Sequence, residues 1–420
     1  MKKFFFYLMF FLSATGLKAQ GLGLQELIAK ARENQPNLAQ LQLIEEATTL
    51  KLKGLSANYL PQTSVGGQAS WQSVVTSINV PVPGIEINPP PKDQYKFTFD
   101  VQQNVWDGGL TSAGKNLELA NARLQKSQVE VELQKVDQMV SQYYFMVLLS
   151  QRNLQTLEQS MTELNERLER MQVAYENGLI SKGDFLSLKA KKMEALQNEE
   201  GLQASKDIAH KALEMLTGEE LPADFAAQLK GFEALDMQNN LNPQILALDA
   251  QQFAMGASES LIKAKYNPKL GLFATAGLGR PGLNFLAQGF NPYFIGGVQL
   301  KIPLSQFYAK TRSSEVQEAK VNALKVQKQK EAFLLSNKIQ LNEQQERIAS
   351  LQKQIVQDRD LIAIREEILQ STKEKLDNGL ITSADYLTEL NNLEQSRTQL
   401  AIHEIQILQG KQKIKLLLGQ

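Results

Sequence analysis

The 420-residue chain balances 45 Lys and Arg against 45 Asp and Glu, so it has no basic excess with which to hold nucleic acid. It contains no cysteine, which excludes disulfides, thiolate metal sites, thiol nucleophiles and an N-terminal lipidated cysteine. No stretch approaches about 18 uninterrupted apolar residues, so a transmembrane helix is not expected.

Lys2 and Lys3, the apolar block Phe4 to Leu12, and Leu17-Lys-Ala19 read as a secretory signal peptide over residues 1–19. The block is too short to span a bilayer. Residues 22–58 then carry helical patterning, broken near Asn34-Gln-Pro36, where Pro36 suits the first turn of a new helix. That helix ends in Tyr59-Leu-Pro61, and a proline forces the residue before it into extended geometry.

The period changes after Pro61. Val65, Gly67, Ala69, Trp71 and Val75 alternate with polar or small neighbours, and Tyr95, Phe97, Phe99, Val101 and Val105 do the same. Each run predicts a strand of about ten residues with one apolar face, a length that suits a membrane β-strand. A proline-rich loop, Pro81 to Lys92, joins the two strands. Trp71, Tyr95, Trp106 and Tyr293 are candidates for the aromatic belts at the membrane interfaces.

From Leu110 to Glu176 the chain reads as one helix without a proline. Leu154, Leu157, Met161, Leu164, Leu168, Met171 and Tyr175 step by three and four, the seam of a coiled coil. About 67 residues would extend roughly 100 Å. The turn Asn177-Gly-Leu-Ile180 leads into a return helix from Ser181 to Leu216, and Thr217 to Asn242 is a weakly periodic connection.

The order then repeats. Pro36, Tyr59 and Pro61 recur 207 positions later as Pro243, Tyr266 and Pro268. Alternating runs follow, Leu270 to Leu278 and Phe294 to Ile302, with the loop Arg280 to Pro292 between them. A second long helix, Ser305 to Asp377, is followed by Asn378-Gly-Leu-Ile381 and a return helix from Thr382 to Leu418. Over the long helices the offset is 201, pairing Leu133 with Leu334, Val147 with Ile348 and Tyr175 with Leu376. A register shared over so many residues marks a duplication. The repeats are placed at residues 20–220 and 221–420, with β-hairpins at about 62–106 and 268–303 and helical tips at about 176–184 and 377–385.

Four strands cannot close a barrel, and lipid does not tolerate an open sheet edge. The chain is therefore expected to oligomerise, two copies supplying eight strands and three supplying twelve.

A Pro-started helix, Tyr-x-Pro, a strand pair, Val105-Trp-Asp-Gly-Gly109, a long helix, Asn-Gly-Leu-Ile-x-x-x-Asp-x-Leu and a return helix, all duplicated, resemble the TolC-type outer-membrane efflux proteins. The resemblance covers the whole chain after the signal peptide. It implies a mainly α fold with a small β part, a homotrimer whose four strands per chain make a twelve-stranded barrel, and a coiled-coil α-barrel reaching into the periplasm. It also implies a passive exit duct without cofactors, set in outer-membrane lipid and docked onto a periplasmic adaptor and an inner-membrane pump. Drug efflux, metal-ion efflux and protein secretion all stay open within that class.

Gly178 and Gly379 suit left-handed helix stops, while Ser181 and Thr382 suit N-caps with Asp184 and Asp385 three residues on. Capping alone accounts for both aspartates. The resemblance adds adaptor docking at Gly178, Leu179, Asp184, Gly379 and Leu380, and entrance lining at Asp385. Thr388 stands where the family has a second entrance acid, and Leu376 and Ile381 stand where it has a bridging Tyr and Arg.

An enzyme is not expected. His210 and His403 have no ligand cluster in sequence, no P-loop is present to energise transport, and Gly277-Leu-Gly279 reads as strand and turn. The competing reading is a structural or adhesive coiled-coil envelope protein without a channel, whose heptads would run through the two β-hairpin regions.

Overall fold

The computed structural model describes residues 23–77, 89–222, 225–227, 240–304 and 310–420. The expected signal peptide and most of the Pro81 to Lys92 loop lie outside these residues. The elements run α1 (Leu24–Asn34), α2 (Pro36–Ser56), β1 (Gln62–Trp71), β2 (Asp93–Trp106), α3 (Leu110–Glu176), α4 (Lys182–Thr217), α5 (Pro243–Lys265), β3 (Lys269–Arg280), β4 (Asn291–Lys301), α6 (Thr311–Asp377) and α7 (Ser383–Leu418). The second long helix thus starts at Thr311, residues 305–309 lying outside the description.

Two compact units form, and each draws on both repeats. One comprises residues 36–132 and 241–337, the other residues 1–35, 133–240 and 338–420. Helices α3 and α6 contribute to both.

In the first unit the strands form one antiparallel sheet in the order β1-β2-β3-β4. Its register settles the two faces. Val65 pairs with Phe99, Phe99 with Ala276 and Ala276 with Phe294, while Gly67, Phe97, Leu278 and Pro292 make the next row. All four predicted stripes therefore share one apolar face, and it is bare: Trp71 is 71% and Phe294 68% exposed. Gln68, Lys96, Thr98, Asp100, Gln102, Thr275 and Gln299 occupy the other face by the same alternation.

Two residues depart from expectation. Tyr293 pairs with Gly277 on the polar-face register, its ring lying over that glycine, so it is no part of an outward aromatic belt. A register shift at Asn104/Trp106 leaves Val105 without a partner and sets Trp106 opposite Leu270. Just beyond it, the buried Asp107 caps α3 by accepting from Gly109 N (3.0 Å) and Thr111 N (2.7 Å). Tyr59 donates its hydroxyl to the same carboxylate at 2.8 Å, and its counterpart Tyr266 donates to Glu315 at 3.1 Å. The repeated tyrosine of Tyr-x-Pro ties the end of each opening helix to the start of the next long one.

In the other unit, Leu27, Ala31, Val140, Tyr144, Val147, Ala209 and Leu213 build a core in which α1 and the residues Leu221, Phe225 and Ala227 pack on α3 and α4. Arg32 clamps the buried Asp137 through two hydrogen bonds of 2.8 and 2.7 Å. Among the described residues no helix is long and apolar enough to cross a membrane, which bears on helices only.

Candidate functional site: the paired helical tips

Helix α3 ends because Gly178 adopts φ 69°. Leu179 N then donates to Ala174 O (2.8 Å) and Gly178 N to Tyr175 O (3.0 Å), a Schellman stop. The second tip repeats it: Gly379 has φ 68°, Leu380 N donates to Lys375 O (2.9 Å) and Gly379 N to Leu376 O (3.0 Å). The asparagines act alike, Asn177 and Asn378 each donating from the side chain to the carbonyl four residues back at 2.8 Å.

The return helices are capped as the sequence predicts. Asp184 N donates to Ser181 Oγ at 3.1 Å, and Asp385 N to Thr382 Oγ1 at 3.3 Å. Thr382 N also donates to Asp385 Oδ2 at 2.9 Å, completing a capping box. These hydrogen bonds, the hydroxyl of Thr382 first, hold the Asp385 carboxyl below its ordinary value. Asp184 does more than cap, since its Oδ1 accepts from Ser383 N at 3.1 Å and joins the two tips. Thr388 returns its hydroxyl to Ala384 O at 2.9 Å.

Beneath the tips Leu164, Met171, Leu188, Leu369, Leu376, Tyr386, Leu390 and Leu393 form one core from all four helices. Ile180 and Ile381 tuck against it. Their neighbours Leu179 and Leu380 do not, and remain 77% and 73% exposed. Each tip therefore sends one apolar residue down and one out.

A charged cluster flanks this core. Buried Arg167 pairs with Asp377 and lies 5.2 Å from the ring centre of Tyr386. Tyr386 donates to Glu163 at 3.1 Å, and Lys373 pairs with Glu163 at 2.7 Å. Burial drives the Tyr386 hydroxyl well above its ordinary value, and the Glu163 carboxylate adds to the effect.

Residues 27–219 match the family described as outer membrane efflux protein. That stretch of the chain is similar to the family's domain. No curated protein matches this sequence, whereas solved structures do match its fold. VceC, the outer membrane protein of Vibrio cholerae, superposes with a TM-score of 0.71 at 17% identity, over 94% of this chain and 96% of that one. CusC gives 0.74 at 16% over 94% and 91%, and the open-state channel MtrE of Neisseria gonorrhoeae gives 0.70 at 16% over 97% and 93%. The chain thus has the fold of these channels, and strands stand where a pure coiled coil would need heptads.

Reading the sequence missed Arg167, Glu163, Lys373 and Tyr386. The available signal was the matched spacing of Glu163, Arg167 and Arg170 on α3 with Gln370, Lys373 and Asp377 on α6. It escapes the repeat, because the 201 offset sets apolar Ile364 and Ile368 against Glu163 and Arg167. Leu376 and Ile381, by contrast, are core and make no polar bridge. The two histidines are individually held, His210 by Pro222 O (3.1 Å) and His403 by Asp358 (2.6 Å).

Proposed function

We propose that this chain is an outer-membrane efflux protein, three copies of which join edge to edge through β1 and β4 to form a twelve-stranded barrel continued by α-helices as a passive exit duct. The observation that carries the reading is the sheet itself: one face is predominantly apolar and exposed, with Thr63, Gln103 and the Asp93–Arg280 pair toward its ends, and among the described residues both edges lack partners within the chain. Lipid tolerates neither a polar outward face nor an open edge, so copies must close it. In this reading the tips face the periplasm. Leu179 and Leu380 then repeat six times around one rim, a ring of apolar knobs suited to the helical hairpins of a periplasmic adaptor. Asp385 lines the entrance, and an inner-membrane pump supplies the energy.

Cross-linking of cells, followed by mass measurement in mild detergent, is expected to give an outer-membrane trimer. A soluble monomer in the periplasmic fraction refutes the duct.

A further inference from the structure

The polar face of the sheet carries an uneven charge. By register its charged residues are Lys96, Asp100, Lys269 and Lys301. Asp100 is quenched locally: one oxygen accepts from Thr98 Oγ1 at 2.8 Å and the other from Thr275 Oγ1 at 2.5 Å. Lys269 and Lys301 are placed differently. They are direct cross-strand partners at the end of the β3–β4 ladder, beside the helices. Like charges set opposite each other in a ladder repel.

The nearest carboxylate by register is Asp107, which follows Leu270's partner Trp106 and is engaged by Tyr59, Gly109 and Thr111. The ion pairs closest in sequence are Lys263 with Glu259, Arg280 with Asp93 and Lys330 with Asp249, and neither Lys269 nor Lys301 joins one among the described residues. Glu315 is engaged by Tyr266. Asp100 pairs with Thr275, six residues along β3 from Lys269, roughly 20 Å at the strand rise. That separation exceeds the screening length of about 8 Å in physiological salt.

The first repeat shows that the fold does not need these lysines. Gln62, 207 positions before Lys269, pairs with Gln102 in the corresponding place at the start of β1. Two neutral amides fill the site in one repeat and two ammonium groups in the other.

We propose that Lys269 and Lys301 set the charge preference of the duct, favouring anionic permeants where the barrel meets the helices. This rests on the trimeric channel reading above. With the apolar face toward lipid, both lysines face the lumen, and three copies place six ammonium groups in one ring. Low-dielectric walls focus the field of such a ring, and rings of lysine or arginine select anions in pores.

The absence of cysteine permits a local probe. Gln299→Cys puts one thiol two residues from Lys301 on the same face of β4. Purified trimers are treated with anionic sulfonatoethyl and cationic trimethylammonium-ethyl methanethiosulfonate. The ratio of the two rates reports the local potential, because a change in thiol acidity affects both equally. Lys269→Gln with Lys301→Gln copies the pairing already present in the first repeat, and the ratio is expected to fall at least fivefold. Asp100→Asn should change it less than twofold. In planar bilayers under a KCl gradient, the reversal potential of the double variant should move toward that of potassium. An unchanged ratio, a cysteine that water-soluble reagents do not reach, or an unmoved reversal potential overturns the assignment. Failure of the unsubstituted chain to form trimers refutes the duct instead.

Discussion

Leu179 and Ile180 are adjacent, equally apolar and oppositely placed, which makes them a sharp test of the tips. Leu179→Asp with Leu380→Asp removes two side chains that are 77% and 73% exposed and so support no core. Burying a leucine is worth about 1.5–3 kcal/mol in full, so these contribute roughly 1–2 kcal/mol each on docking. Together that is about 2–4 kcal/mol per protomer, or a loss of roughly 30- to 700-fold in local affinity. Trimer yield should stay at the level of the parent while adaptor cross-linking and export, each normalised to trimer in the membrane, collapse. A single change should be milder, because the remaining tip still engages and avidity is only partly lost. Ile180→Asp is the contrast. It places a carboxylate against the core beneath the tips, costing about 2–4 kcal/mol of folding stability, so it should lower trimer yield itself. Unchanged export by the double leucine variant would refute docking and leave the tips as capped turns. Equal loss of trimer from both variants would refute the exposed placement.

Gly379→Val forces a β-branched side chain to φ 68° in otherwise open space; it should cost about 1–2 kcal/mol through backbone strain alone, read as lower folded yield, with Gly379→Asn near the parent. Asp377→Asn strips the partner from buried Arg167. Because the aspartate is half exposed, the expected loss is about 1–2 kcal/mol, seen as earlier thermal dissociation, and it should be absent in an Arg167→Met background. At Asp107, burial raises the carboxyl while hydrogen bonds from Thr111, Tyr59 and Gly109 outweigh it and hold it below its ordinary value. The carboxylate therefore stabilises fully above the unfolded value near pH 4 and loses that contribution as pH falls through the folded one. The gap between the parent and Asp107→Asn, about 1–2 kcal/mol at neutral pH as for a lost N-cap, should close in acid; a gap that widens below pH 4 refutes the sign. Gly289→Cys, in open space between β3 and β4, should react with an impermeant thiol reagent on intact cells, and labelling only after the outer membrane is broken would reverse the topology.

Local patterning was enough to place the helices, strands and tips. A 3.6-residue period, a two-residue period and left-handed glycines each report on their own few neighbours, so Gly178 and Gly379, the caps at Ser181 and Thr382, and the duplication were all legible from the chain. What depends on contacts between distant segments was not. The sequence could not say that Tyr293 would turn to the polar face over Gly277, or that a bulge would set Trp106 in the place expected of Val105. Strand register belongs to a pair of strands, and a shift of one residue exchanges the faces. Nor could it say which apolar residue at each tip would be buried. Ile180 and Leu179 differ only in where four helices meet, and Arg167, Asp377 and Tyr386 become one cluster only because α3, α6 and α7 converge there. Lys269 and Lys301, 32 positions apart, become opposed charges through the ladder alone. Chain chemistry selects the elements, and packing between them decides which side chains are left facing outward.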